Sequence, residues 1–258
     1  IQEAFDVTLA YHKASVQSTV AYNDLRVEAQ DGELFLRGQN QIAKLTHYAF
    51  GQLAGRSKAP AEYLRELPAT LAAQNLNHGL KNRASNESGK LLLHKNGELV
   101  ARCITGGKYQ RIWNCEILSR LGKLEQDGWK IPPARPAFKD PRTRPATEED
   151  CGWCGKTGLA IQTGDLIAPA GVYASDRDMF IFMVHPDRYL TNPLDPNTPL
   201  MRGFFVWNSE VGDKSFGIMS FLLDAVCGNH IVWGAQQVKE IRLRHIGSAK
   251  YKAFSQLS

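Results

Sequence analysis

Residues 203–234 read GFFVWNSEVGDKSFGIMSFLLDAVCGNHIVWG, apolar runs set around one compact polar segment, Asn208-Ser209-Glu210-Val211-Gly212. The pattern predicts a buried strand over 204–207, a polar turn closed by Gly212 and Asp213, and a second strand over 215–219. A short helix is expected over 221–226, then a Cys227-Gly228-Asn229-His230 exit into another strand. Amide, hydroxyl and carboxylate groups framed by apolar strands must satisfy one another or meet a ligand, because burying them unpaired is costly. Asn208, Ser209 and Glu210, with Asn229 and His230, therefore form a candidate polar cluster, either structural or ligand-binding.

Outward from this stretch the chain alternates hairpin and helix signals. Strands are expected over 16–22, 25–29 and 33–37, the last two turning at Asp31-Gly32. Three short helices follow, with Thr46 as an N-cap, Pro60 and Pro68 at first turns, and Leu53, Leu64, Leu67, Leu71, Leu76 and Leu80 facing the core. The segment 50–67 also fits a helix-turn-helix template, but Lys58 stands where its turn favours Gly, so a structural helical hairpin is the expectation. Residues 90–95 and 98–103 form a second hairpin about Asn96-Gly97, and 114–125 carry a helical stripe of Ile117, Leu118, Leu121 and Leu124. Residues 132–150 read as a Pro-rich loop, 158–162 and 178–184 as strands, and 185–199 as another loop. The resulting fold class is α+β, antiparallel β-sheets with β-hairpins and a segregated cluster of short helices. A single domain over 1–258 is expected, with a sub-division into 1–128 and 158–258 across the Pro-rich segment 129–157 as its variant.

The NSEVG run followed by CGNHIVWG resembles the phage/plasmid-like family known as domain of unknown function 932. Four more segments are similar in the same order: LTHYAFGQLAGRSKAPAEYLRELP (45–68), AAQNLNHGL (72–80), GGKYQRIWNCEILSRL (106–121) and EIRLRHIGSAKYKAF (240–254). The chain departs from that family at CITGGKYQRIWN, where a Ser-Asp-Arg-Tyr-Arg run is more usual, and at Cys151-Gly152-Trp153-Cys154. The resemblance implies mobile-element biology rather than a particular activity.

With 258 residues, 43% of them hydrophobic, the chain can bury a sizeable core. No apolar run approaches the roughly 18 residues of a membrane span, and IQEAFDVTLAYHK lacks the charged-then-apolar pattern of a leader. Five cysteines, at 103, 115, 151, 154 and 227, argue against a disulfide framework and for a reducing, cytoplasmic setting. The net charge of +5 permits a polyanionic partner, and its distribution favours one. Lys239, Arg242, Arg244, Lys250 and Lys252 crowd 239–252, and Lys130, Arg135, Lys139, Arg142 and Arg144 crowd 129–144.

Lys108, Tyr109, Arg111 and Trp113 lie between a strand and a helix, in a Gly106-Gly107 turn whose glycine spacing is not that of a Walker loop. Cations that neutralise phosphate, interleaved with rings that stack bases, point to nucleic acid. Lys108, Tyr109, Arg111, Trp113, Arg242, Arg244, Lys250 and Lys252 are accordingly the candidate contacts. No cofactor is expected. Zinc on Cys151 and Cys154 would need two more ligands, from His185, Cys227 or a second subunit, and the surroundings of this CxxC do not match a thioredoxin-type motif.

The sequence thus favours a non-enzymatic, homo-oligomeric protein that binds single-stranded DNA in recombination or replication. Two alternatives stay open: a metal-dependent nucleic-acid-processing enzyme centred on Glu210, Asn208, His230 and His245, and a phage-type protein that inhibits a host partner. No HExxH, GxSxG or paired-carboxylate motif singles out a reaction.

Overall fold

A computed structural model describes residues 1–38, 41–134, 143–148, 162–169, 171–191, 200–224 and 239–257. It has the α+β architecture that the patterning predicts, with mainly antiparallel sheets, hairpins and helices packed beside them.

Helix α1 (Gln2–Lys13) leads into β1 (Ser15–Ala21) and a 3₁₀ turn at Tyr22–Asp24. Next come β2 (Arg26–Gln30), β3 (Glu33–Gly38) and β4 (Gln41–Leu45). The β2–β3 reversal falls on Asp31 and Gly32, with φ of 50° and 80°, the left-handed pair that a tight hairpin with right-twisted strands requires. Helices α2 (His47–Arg56), α3 (Ala61–Glu66) and α4 (Ala69–Lys81) follow. Thr46 caps α2, its Oγ accepting from the Ala49 amide at 3.1 Å, and Pro60 and Pro68 stand just before α3 and α4.

Strands β5 (Ser88–Asn96) and β6 (Glu98–Gly106) complete a six-stranded sheet of order β1-β5-β6-β4-β3-β2, in which only the β4–β6 pair is parallel. Leu53, Leu64, Leu76 and Leu80 of the three helices pack with Leu36, Leu91, Leu93 and Ile104 of this sheet. Strand β5 is buried on both sides, because Leu92 faces the other way and meets Cys103 and Val211.

Helix α5 (Asn114–Gln126) then leads through β7 (Pro133–Ala134), β8 (Arg144–Pro145) and β9 (Leu166–Pro169), which form a small sheet, to a five-stranded antiparallel one. The latter runs β10 (Val172–Ala174), β11 (Asp178–Leu190), β12 (Leu200–Ser209), β13 (Phe216–Asp224) and β14 (Lys239–Leu243) in sequence order, and α6 (Ala249–Ser255) follows. Its inner face, with Met179, Ile181, Met183, Val206 and Phe216, packs on Ile117, Leu118 and Leu121 of α5, Ala4 of α1 and Ala253 of α6. Helix α1, first in the chain, thus belongs to the core of the second large sheet, against α5 and β10.

Three expectations change. Leu71, expected to face the core, is 45% exposed, while Ala72, Ala73, Leu76 and Leu80 form the buried stripe of α4. Residues 221–224 are strand, not the start of a helix: Phe221, Leu222, Leu223 and Asp224 pair with Gly203, Arg202, Met201 and Leu200. Long-range pairing overrides the helical preference of a Leu-rich run. Residues 185–190 extend β11 instead of opening a loop, with a register shift between His185 and Tyr189 that accommodates Pro186. The strand expected over 158–162, apart from Gln162, lies outside the described residues, as do Cys151, Cys154, Cys227, Asn229 and His230.

Candidate nucleic-acid interface

The Asn208-Ser209-Glu210 segment ends β12 inside the protein, with exposures of 0%, 0% and 1%. Glu210 meets Arg102 across the gap between the two large sheets, Oε2 to guanidinium 2.9 Å, while its Oε1 accepts from the Asn114 amide at the start of α5 at 2.9 Å. Arg102 is the extra residue of a bulge: Leu92 pairs with Cys103 and Leu93 with Ala101, leaving Arg102 unopposed and its side chain re-aimed. Its guanidinium also donates to Ser15 Oγ at 3.0 Å and to the Asp176 carbonyl, and lies over the Tyr11 ring. Burial pushes the Glu210 carboxyl upward, and the Arg102 charge opposes that shift.

Asn208 donates to the Ile112 carbonyl at 2.9 Å and to Asn114 Oδ1 at 2.7 Å. Gln52 of α2 spans the same gap, donating to the Val211 carbonyl at 2.9 Å and accepting from the Ile104 amide at 2.8 Å. These bonds tie α2, β6, α5 and the β12–β13 turn into one polar seam. The contributions of Arg102, Asn114 and Gln52 carry no local sequence signal, since they depend on the bulge and on pairings 52 to 159 residues apart.

The candidate segments 106–113 and 239–252 meet. Tyr109 and Ile246 form an antiparallel bridge, and Gln110 N–H donates to the His245 carbonyl at 2.6 Å. Lys250 on α6 pairs with Glu116 on α5 at 2.6 Å. Lys108, Arg242, Arg244, Lys250 and Lys252 are exposed, as is Tyr251 at 78%.

Three neighbours point the other way. Tyr109 donates its hydroxyl to the Ser209 carbonyl at 2.8 Å and stacks on His245 at 4.9 Å and 16°. Arg111, 7% exposed, donates to Gln17 Oε1 at 2.9 Å and lies over the Tyr109 and Trp113 rings. Trp113 stacks obliquely on His12 at 4.2 Å. The ring faces at 109 and 113 are therefore met by protein, and Arg111 is spent on the seam. Burial raises the Tyr109 hydroxyl well above its ordinary range and lowers His245 to about 4.

Two other groups resemble reactive sites by composition only. Cys115, in the first turn of α5, has its Sγ 3.5 Å from His12 Nδ1, but it is buried and its thiol is pushed up to about 11. His185 is buried against the Asp127 carbonyl at 2.9 Å and the Trp129 edge. Among the described residues no three His, Cys, Asp or Glu side chains converge as metal ligands, and no helix is long and apolar enough to cross a membrane.

Searches for similar proteins return no match: no family model, no curated protein and no solved structure resembles the chain detectably.

Proposed function

We propose that this protein binds single-stranded nucleic acid, DNA in recombination or replication, through the joined basic surface of residues 106–113 and 239–252. The supporting observation is the Tyr109–Ile246 bridge, which sets the Lys108 turn beside the segment that carries Arg242, on β14, and Arg244, just after it. Six exposed cations there, Lys108, Lys239, Arg242, Arg244, Lys250 and Lys252, supply sequence-independent attraction to phosphates. The resemblance to phage/plasmid-like proteins is in keeping with a role on mobile-element DNA. Two buried free thiols, Cys103 and Cys115, suit a cytoplasmic setting, and a homo-oligomer would extend the footprint along a strand.

The test is fluorescence anisotropy with labelled single-stranded and duplex oligonucleotides over a salt series. Tighter binding of the single strand is expected, with affinity falling as salt rises. Lys108→Ala and Arg244→Ala should each reduce the salt slope by about one. Absence of binding to either form at low salt rejects the function.

A further inference from the structure

We infer that the outer face of the five-stranded sheet is a stacking site for unpaired nucleobases, an assignment that rests on the single-strand reading above and adds where the bases go. The register fixes what this face carries. Tyr173 lies opposite Phe180, Phe180 opposite Trp207, Trp207 opposite Gly217 and Gly217 opposite Arg242. In the next row Phe182 lies opposite Phe205, and Phe205 opposite Met219. Because successive side chains alternate, these residues point away from the face that packs on α1, α5 and α6.

The face is open where its rings are. Tyr173 is 52% and Phe180 38% exposed, and Phe205 and Trp207 are half-buried. Phe205 stands 5.5 Å from both Phe180 and Trp207, in tilted pairs. Gly217 makes this possible: a Cβ there would strike the Trp207 ring, which lies flat along the neighbouring strand. A shallow cavity of about 320 Å³ results, with Lys214 and Arg242 among its walls.

The chemistry selects the occupant. The cavity offers the flat rings of Tyr173, Phe180, Phe205 and Trp207 beside Met179, Met219, Asp178 and the two cations, and an unpaired base with its phosphate uses rings and cations together, whereas an apolar peptide or a second hydrophobic face would leave the cations without a partner. Arg242 sits 5.8 Å from the Trp207 ring centre and belongs to the basic segment 239–252, so the stacking face and the phosphate-binding edge are continuous. Both cations are already oriented, Lys214 by Asp178 at 3.4 Å and Arg242 by Glu240. The Arg242–Glu240 pair lies at the surface and is weak enough for a phosphate to displace the carboxylate. Every base has a π-face, so such a site accepts unpaired bases of any sequence and cannot engage bases locked in a duplex.

The deciding experiment compares an oligothymidylate with an abasic strand of equal length, which has the same phosphates and no bases. The intact protein should prefer the oligothymidylate. Phe180→Ala and Trp207→Leu should each weaken that strand by about 5- to 150-fold while leaving the abasic strand and the salt slope unchanged. As a check independent of any variant, an iodouracil-substituted strand irradiated on the intact protein should cross-link to residues of β10, β11 or β12. Equal affinity for the two strands, equal losses on both, or cross-links confined to 239–252 would overturn the stacking site and leave the nucleic-acid function standing. Binding to neither strand would overturn both.

Discussion

Arg102 and Glu210 face each other at 2.9 Å with 3% and 1% of their side chains exposed, one from each large sheet. A buried ion pair is weak evidence of net stabilisation, but removing one partner strands a charge in the interior. Arg102→Ala or Glu210→Ala should each cost about 3–5 kcal/mol in urea unfolding, whereas the joint replacement Arg102→Met with Glu210→Leu should recover most of that loss. Independent, additive losses in the double variant would show that the pair is not coupled.

His245 supplies a pH dependence of definite sign. Burial lowers its pKa to about 4, against 6.5 in the unfolded chain, so folding favours the neutral ring. The associated stability is present above pH 6.5 and is lost as pH falls through 4, about 3 kcal/mol in all. Its Nδ1 faces the Gln110 carbonyl at 3.1 Å, which His245→Asn can still reach. That variant should show a shallower decline in stability between pH 7 and 4 than the parent, measured as denaturation midpoints at each pH.

Gly217 supports the Trp207 ring by lacking a Cβ. Gly217→Ala should displace that ring and cost about 1–3 kcal/mol, the range for overpacking. The displacement is read as a shift in tryptophan emission that is absent when the same substitution is made in a Trp207→Phe background.

Cys103 and Cys115 are buried and burial raises both thiols, Cys115 to about 11. Thiolate is the reactive form, so neither should be alkylated by iodoacetamide at pH 8 until the protein opens. Peptide mass spectrometry should find both modified only after denaturant is added.

Elements set by neighbours in sequence are readable from the chain alone. Asp31-Gly32 dictates its reversal through left-handed φ, Thr46 its helix start through one side-chain oxygen, and Pro60 and Pro68 through the amide they lack. Residues 221–224 were harder, because Phe221 is held in a strand by Gly203 across the sheet and by the Phe182 ring at 5.1 Å. The seam around Glu210 is only half visible: NSEVG announces buried polar groups, yet nothing near Arg102 in sequence signals the bulge that delivers the counter-charge. Tyr109 and Arg111 illustrate the same limit, since a cation beside an aromatic reads alike whether it meets solvent or core. Aromatics two apart, at 180 and 182 and again at 205 and 207, are a period-two signal for one sheet face.

Helix α1 is made early and covered late. Its partner β10 begins at Val172, so during synthesis at about 5–20 residues per second the helix waits roughly 10–30 s for the strand it packs against. The six-stranded sheet, drawn from residues 15 to 106, can close before α5 or β10 has been made to cover the helix. Assembly on the ribosome is therefore out of step with the order of these elements, and a truncation anywhere before β10 would release a product in which α1 lacks part of its cover.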